Sequence, residues 1–238
     1  MRRSFKYIQL VLLFIGVVLL YSFSANRNEK RIRSGLDIKI EHQQDLFVTD
    51  DMLRTEILKG KKDEDILDSL SVRELERSLS TYGLIENAEV YETIDKNIGI
   101  EVKQREPLAR VLGKTSYYID RNGKKMPLSP AYTARVPLIA PMDSLGIAQL
   151  YPLLKYLNED EFMKQQVVGI ERGKSGDYGL RLRRYDFNIN IGAISDIEKK
   201  MNNFKSFYKK AKKDSLLGRY RLVNLKYTNQ VICTKREV

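Results

Sequence analysis

The chain has 238 residues, enough for one or two domains with a real core. Its one cysteine, Cys233, excludes an intramolecular disulfide framework and any multi-cysteine metal site. Its one histidine, His42, leaves little with which to build a His-based metal site or a Ser-His-Asp arrangement. The net charge of +11 is uneven: residues 1–35 carry seven Lys/Arg against one acid, residues 36–106 ten against eighteen, and residues 107–238 twenty-five against twelve. A basic C-terminal half suits phosphate backbones, but no zinc-finger, basic-zipper or RNA-recognition signature accompanies it, so no nucleic-acid partner is expected.

From the N-terminus, Tyr7 to Phe23 is the only long apolar run. As a helix it spans roughly 26 Å, near the short limit for a bilayer crossing. Tyr7, Tyr21 and Phe23 at its ends suit the membrane interfaces. The expectation is a cytoplasmic stretch over 1–6, a transmembrane helix over 7–24 contacting the lipid bilayer, and a juxtamembrane linker over 25–35. Basic residues on both sides of the run leave its orientation open. A competing reading takes the run as a cleaved signal peptide, with Ser22-Phe23-Ser24 as the small-residue site before Ala25. On either reading the rest of the chain is exported.

Leu36–Glu41 alternates as a strand, and His42 reads as a solvated residue after it. Thr49-Asp50-Asp51 supplies N-cap chemistry for a helix to Leu58 with Leu53 and Ile57 on one face. Gly60 and the charged run Lys61–Asp65 break it. Asp63, Glu64 and Asp65 there read as a solvated turn rather than paired catalytic carboxylates. Ser71-Val72-Arg73-Glu74 is a capping box that opens an amphipathic helix through Leu75, Leu79 and Tyr82, ended by Gly83. Strands follow over Ile85–Glu92 and Ile98–Gln104, joined by Asp95-Lys96-Asn97. That order calls for a sheet with two helices on one face.

The stretch from Ile98 to Val111 contains Pro107, which forces an extended path on Glu106 and removes a ladder donor. Acidic and basic halves meet there, so it is expected to be a domain seam. Beyond it, Leu108–Leu112 and Tyr117–Asp120 read as strands, with Asn122-Gly123 as a type I′ turn. A loop-rich crossing surrounds Val136–Ala140. The next helix carries Ile147, Leu150, Leu154 and Leu157, with Pro152 kinking it or marking its start. Val167–Arg172, Tyr178–Arg183 and Phe187–Ile191 are strand candidates. Ile194, Ile197, Met201, Phe204, Tyr208 and Ala211 then make the clearest amphipathic helix in the chain. Its other face holds Lys199, Lys200, Lys205, Lys209, Lys210, Lys212 and Lys213. That face reads as solvated, with acidic partners or lipid headgroups as a second option. Leu222–Tyr227 and Gln230–Thr234 close the chain as a strand pair about Thr228-Asn229.

The residues contain no nucleophile elbow, phosphate-cradling glycine loop, metal-ligand cluster or zinc-protease motif. No enzyme, cofactor or metal is expected. The ordered series does resemble a known family. An anchor, then strand-helix-helix-strand-strand carrying "LERSLSTYGLIENAEVYETIDKNIGIEVKQREPLARV", then "YYIDRNGKKMPL", "VPLI" and "RLVNLKY", is similar to the FtsQ/DivIB bacterial cell-division family. The resemblance implies an α+β chain: a single N-terminal transmembrane helix, a β-α-α-β-β POTRA domain over 36–106, and an FtsQ-type β-domain with a mixed sheet and flanking helices over 107–238. It implies a bitopic divisome scaffold in the inner membrane at the septum, with its C-terminal domains periplasmic. The partners implied are FtsB-like and FtsL-like coiled-coil proteins and other divisome membrane proteins. A physical route is addition of a partner strand to the last strand of the sheet. The partner-binding positions it implies are Lys226, Tyr227, Asn229, Val231 and Cys233, with Arg172 as a salt-bridge donor to an acidic partner. With no tryptophan in the chain, the aromatic contacts that some members make near the C-terminus cannot be made the same way. The alternative function is a secreted or peripheral membrane-binding protein with a cleaved signal peptide and a basic amphipathic helix.

Overall fold

The computed structural model describes residues 2–29, 36–41, 46–58, 71–94, 97–173 and 175–237, with side chains of the first segment described for Tyr7 and residues 12–24. His42, Lys61–Asp65, Asp95, Lys96 and most of the expected linker lie outside the described residues. The chain divides into two compact units. One comprises Met1–His42 and Val48–Gln104, the other Gln43–Phe47 and Arg105–Val238.

Helix α1 runs from Arg2 to Glu29. Among the described residues, no helix is long and apolar enough to cross a membrane. This corrects the expected transmembrane helix over 7–24 and the bilayer contact through it. The apolar run Tyr7–Phe23 within α1 covers roughly 26 Å of helix against the ~30 Å of a hydrocarbon core, and Lys6 and Ser24 close it in the sequence.

The first unit then contains β1 (Leu36–Ile40), α2 (Asp50–Leu58), α3 (Val72–Thr81), β2 (Ile85–Glu92) and β3 (Ile98–Gln104). The sheet order is β1-β3-β2, with β1 parallel and β2 antiparallel to β3. Alternation explains the burial: Ile98, Ile100 and Val102 are fully buried, together with Leu53 and Ile57 of α2 and Leu75 and Leu79 of α3. The capping box forms, with Ser71 Oγ accepting from the Glu74 N–H at 3.2 Å and Glu74 Oε2 accepting from the Ser71 N–H at 3.5 Å. Helix α3 ends on an extended Tyr82, one residue before the expected Gly83, and the Tyr82 N–H bonds the Leu79 carbonyl. On the other face of the sheet the Tyr91 ring lies over Gly99, where an added Cβ would meet the ring at once.

The second unit is built on a mixed nine-stranded sheet. Its strands are β4 (Pro107–Val111), β5 (Tyr117–Asp120), β6 (Lys125–Met126), β7 (Leu138–Ile139), β8 (Val167–Arg172), β9 (Tyr178–Leu182), β10 (Asn188–Gly192), β11 (Tyr220–Asn224) and β12 (Ile232–Lys235). Their order is β12-β11-β10-β9-β8-β7-β4-β5-β6. Pairs β4/β7, β7/β8 and β10/β11 are parallel and the others antiparallel. Helices α4 (Ser144–Glu159), α5 (Glu161–Gln166) and α6 (Ile197–Lys213) supply the core's other layer through Leu150, Leu153, Leu154, Leu157, Met163, Met201, Phe204 and Tyr208. Pro107 is the first residue of β4, a position where a strand tolerates the missing N–H.

Three local expectations change. Asn122-Gly123 is not a type I′ turn, because Gly123 has φ of +73° and Asn122 does not have a positive φ. The Asp120 carboxylate instead accepts the N–H groups of Asn122 at 2.9 Å and Lys124 at 2.7 Å, closing a three-residue loop with glycine in the left-handed position. Pro152 lies inside α4, which starts at Ser144 under an Asp143 cap. Lys200 is not on the solvated face of α6. It is 3% exposed, and its Nζ donates to the Ile191 carbonyl at 2.9 Å and the Ala193 carbonyl at 2.8 Å. Those carbonyls lie where β10 runs out, so the ammonium replaces ladder donors the sheet no longer provides.

Candidate functional site: the free edge of the large sheet

Strand β12 pairs only with β11, through Tyr220↔Lys235, Leu222↔Thr234, Val223↔Cys233 and Asn224↔Ile232. It is the last strand in the sheet order, so its other side presents unpaired backbone groups. Register sorts the side chains. Val223 is fully buried, so its partner Cys233 turns to the core, and Val231 and Cys233 both pack partly against the core cluster. Ile232, one residue out of phase, is 43% exposed. It is an exposed apolar side chain absent from the sequence expectation, and simple period-two alternation about Cys233 is the signal that could have found it. Burial pushes the Cys233 thiol above its ordinary pKa.

The strands are shorter and shifted relative to expectation. Lys226, Tyr227, Asn229 and Val231 lie in the connection between β11 and β12, not on the strands. Competing hydrogen bonds explain the shift. The Leu225 N–H goes back to the Asn190 carbonyl of β10 at 2.7 Å, and the Lys226 N–H goes to Asn224 Oδ1 at 3.0 Å. Asn203 Nδ2 of α6 holds the Thr228 carbonyl at 2.7 Å. The connection is thus pinned to β10 and α6, and Tyr227 stands 55% exposed on it. Gly192, at φ of +66°, ends β10 directly beneath; an added Cβ would lie 2.9 Å from Lys226 Cγ.

Lys226 Nζ reaches Asp177 Oδ2 at 2.7 Å, and Ser175 Oγ donates to the same oxygen at 3.0 Å. The Lys226 and Ser175 hydrogen bonds hold the Asp177 carboxyl below its usual range, and Asp177 holds the Lys226 ammonium above its own. Asp177 joins the connection to a shallow depression on the sheet face that is floored at Gly179 and lined by Glu171, Arg172, Arg181, Asn190 and Leu222. Arg181 and Glu171 pair across it at 2.9 Å. Arg172 lies over the Tyr178 ring at 5.8 Å. It is four strands from β12, about 19 Å at the usual strand spacing. The structure therefore gathers Lys226, Tyr227, Asn229, Val231 and Cys233 at one edge. Arg172 shares with them only the sheet face that passes through Asp177.

Chemically this arrangement offers backbone donors and acceptors, one exposed phenol, one exposed aliphatic chain and paired charges. Among the described residues, no group of three or more His, Cys, Asp or Glu side chains could hold a metal ion. Such a surface offers what the binding of an extended chain requires.

The chain matches the family model described as FtsQ/DivIB, C-terminal related, over residues 106–234. The matched span covers more than half of the chain and runs from just before β4 into β12. No curated protein matches it.

Proposed function

The chain belongs to the FtsQ/DivIB, C-terminal related family, a family of non-enzymatic, membrane-associated cell-division proteins, and from that premise we propose that it is a divisome scaffold. On this reading it performs no catalysis. It works at the septum on the outer side of the cytoplasmic membrane and binds FtsB-like and FtsL-like coiled-coil proteins and other divisome membrane proteins. Residues 36–106 serve as a POTRA domain and residues 107–238 as the partner-binding β-domain.

The observation that carries this reading is the open edge of β12 within the span matching the family model. A partner segment laid beside β12 would satisfy its outward N–H and C=O groups, and Ile232 and Tyr227 would supply apolar area at the contact. Lys226, Asn229, Val231 and Cys233 frame the same edge, while Arg172 offers a cation on the adjoining sheet face.

The test is binding of a purified FtsB/FtsL-type partner pair to the full chain. Tyr227→Ala with Lys226→Glu is expected to weaken binding about tenfold, with melting lowered only slightly by loss of the exposed Lys226–Asp177 pair. Partner binding should also slow amide exchange at Ile232–Lys235. Undiminished affinity in the double variant would discard the side-chain assignment, and unchanged exchange would discard strand addition.

A further inference from the structure

We propose that the segment added to β12 is acidic at the end lying beside Lys235 and Arg236. The inference rests on strand addition at β12 and specifies the chemistry of the strand that is added.

Topology places the charge. Strands β10 and β11 are parallel, so α6 returns the chain between them, and a 3-10 turn over Leu217–Arg219 leads from the C-terminal side of α6 into the start of β11. The start of β11 pairs with the end of β12: Tyr220 lies opposite Lys235, and the Arg236 N–H bonds the Arg219 carbonyl at 2.8 Å. The last turn of α6, the first residues of β11 and the last of β12 therefore lie at one end of the open edge. From Lys209 to Glu237 the sequence has nine cations and two acids, Asp214 and Glu237. Lys226 is paired with Asp177, while Arg236 donates through Nε to the Tyr220 carbonyl at 3.2 Å and forms a long ion pair with the exposed Asp186 at 3.8 Å. Lys210, Lys212, Lys213, Arg219 and Lys235 are exposed, and none makes an ion pair with a described carboxylate.

Magnitudes support an external counter-charge. The C-terminal dipole of α6 is equivalent to about half a negative charge, too little to offset three lysines in its last turn. The opposite end of β12 differs, since Lys226 is neutralised by Asp177 and Asp196 lines the same hollow. A charge gradient thus runs along the edge. The earlier part of α6 argues against a flat anionic surface as the occupant: Lys200 is buried and Lys205 is held by Asp160 at 2.7 Å. Lys199 is an exposed cation near the start of the helix, and the densest group of exposed cations, Lys210, Lys212 and Lys213, lies in its last turn at the strand edge.

The test uses two synthetic peptides with one alternating threonine–valine core, flanked by glutamates or by lysines. Their binding to the full chain is measured in about 50 mM and about 300 mM salt, with amide exchange of β12 followed in parallel. The glutamate peptide is expected to bind about tenfold more tightly at low salt, with the preference shrinking at high salt. The variant K210E/K212E/K213E/K235E, altered only at exposed positions, is expected to invert the preference. Equal binding of both peptides with equal protection of β12 would overturn the inference and leave strand addition standing. Protection of β12 by neither peptide would remove strand addition itself, and the inference with it. Phosphatidylglycerol vesicles that retain the native chain and release the variant, with no peptide preference, would identify lipid as the occupant and overturn the inference.

Discussion

The two ends of the nine-stranded sheet are finished in opposite ways. Strand β6 has two residues; Met126 is buried, Lys125 lies over the Tyr117 ring at 4.4 Å, and Pro127, which has no N–H, follows at once. Strand β12 has four residues, no proline and the exposed Ile232. Shortness, lysine and proline are common ways of blunting a sheet edge against stray pairing. The β6 end uses all three, whereas β12 has only Lys235. The difference teaches that the sheet is closed where it needs only stability and left open where a strand can be added.

The largest test of that division is Asp120→Ala at the closed end. Asp120 is 2% exposed, holds two turn N–H groups and pairs with Arg105 at 3.3 Å. Its loss should cost about 3 kcal/mol and lower Tm by roughly 10 °C, with partner affinity unchanged. Calorimetry beside a binding titration checks both halves, and a parallel loss of affinity would mean that the two ends are coupled. Two glycines sharpen the comparison further. Gly123 and Gly192 both have left-handed φ, and an added Cβ would lie 3.2 Å from Tyr151 Cδ2 and 2.9 Å from Lys226 Cγ respectively. Alanine at either should cost about 1–2 kcal/mol by chemical denaturation. Only Gly192→Ala, which presses on Lys226, should also weaken partner binding.

The smallest effect concerns Asp160, which caps α5 through the Met163 N–H at 2.9 Å and pairs with Lys205. Burial opposes its ionisation, but the hydrogen bonds from Lys205 and Met163 win and hold its carboxyl below 3.8; the Asp160 hydrogen bond holds Lys205 above 10.5. The pair therefore contributes stability at neutral pH. It loses that contribution as pH falls through the depressed carboxyl value or rises through the raised ammonium value. Asp160→Asn keeps a cap and should cost about 1 kcal/mol or less at neutral pH. Thermal melts should show the difference closing at both pH extremes and leave partner affinity untouched.

What was legible in the sequence was local. The Ser71–Glu74 capping box, the alternation of Ile98, Ile100 and Val102, and the buried stripe of Met201, Phe204 and Tyr208 depend on neighbours a few residues away, and each took its expected place. Lys200 was illegible because nothing in a lysine-rich helix marks the one side chain lying over the end of β10. The terminal strands moved for the same kind of reason: Asn203 of α6 holds the Thr228 carbonyl across 25 positions of chain, and no local pattern reports that contact. The anchor expectation accepted an apolar run near the short limit for a crossing, and no described helix is long and apolar enough to make one. At the edge of β12, only the register separated the outward Ile232 from the inward Cys233.

The placement of Cys233 has a consequence for reactivity. The only thiol in the chain sits on the very strand proposed to receive a partner, half-buried opposite Val223, with its pKa raised by burial. Alkylation requires the thiolate, so modification at neutral pH should be slow while β12 lies on the sheet and faster each time it peels away. The chain therefore carries an intrinsic chemical clock for the opening of its last strand, readable by mass without a label or a substitution.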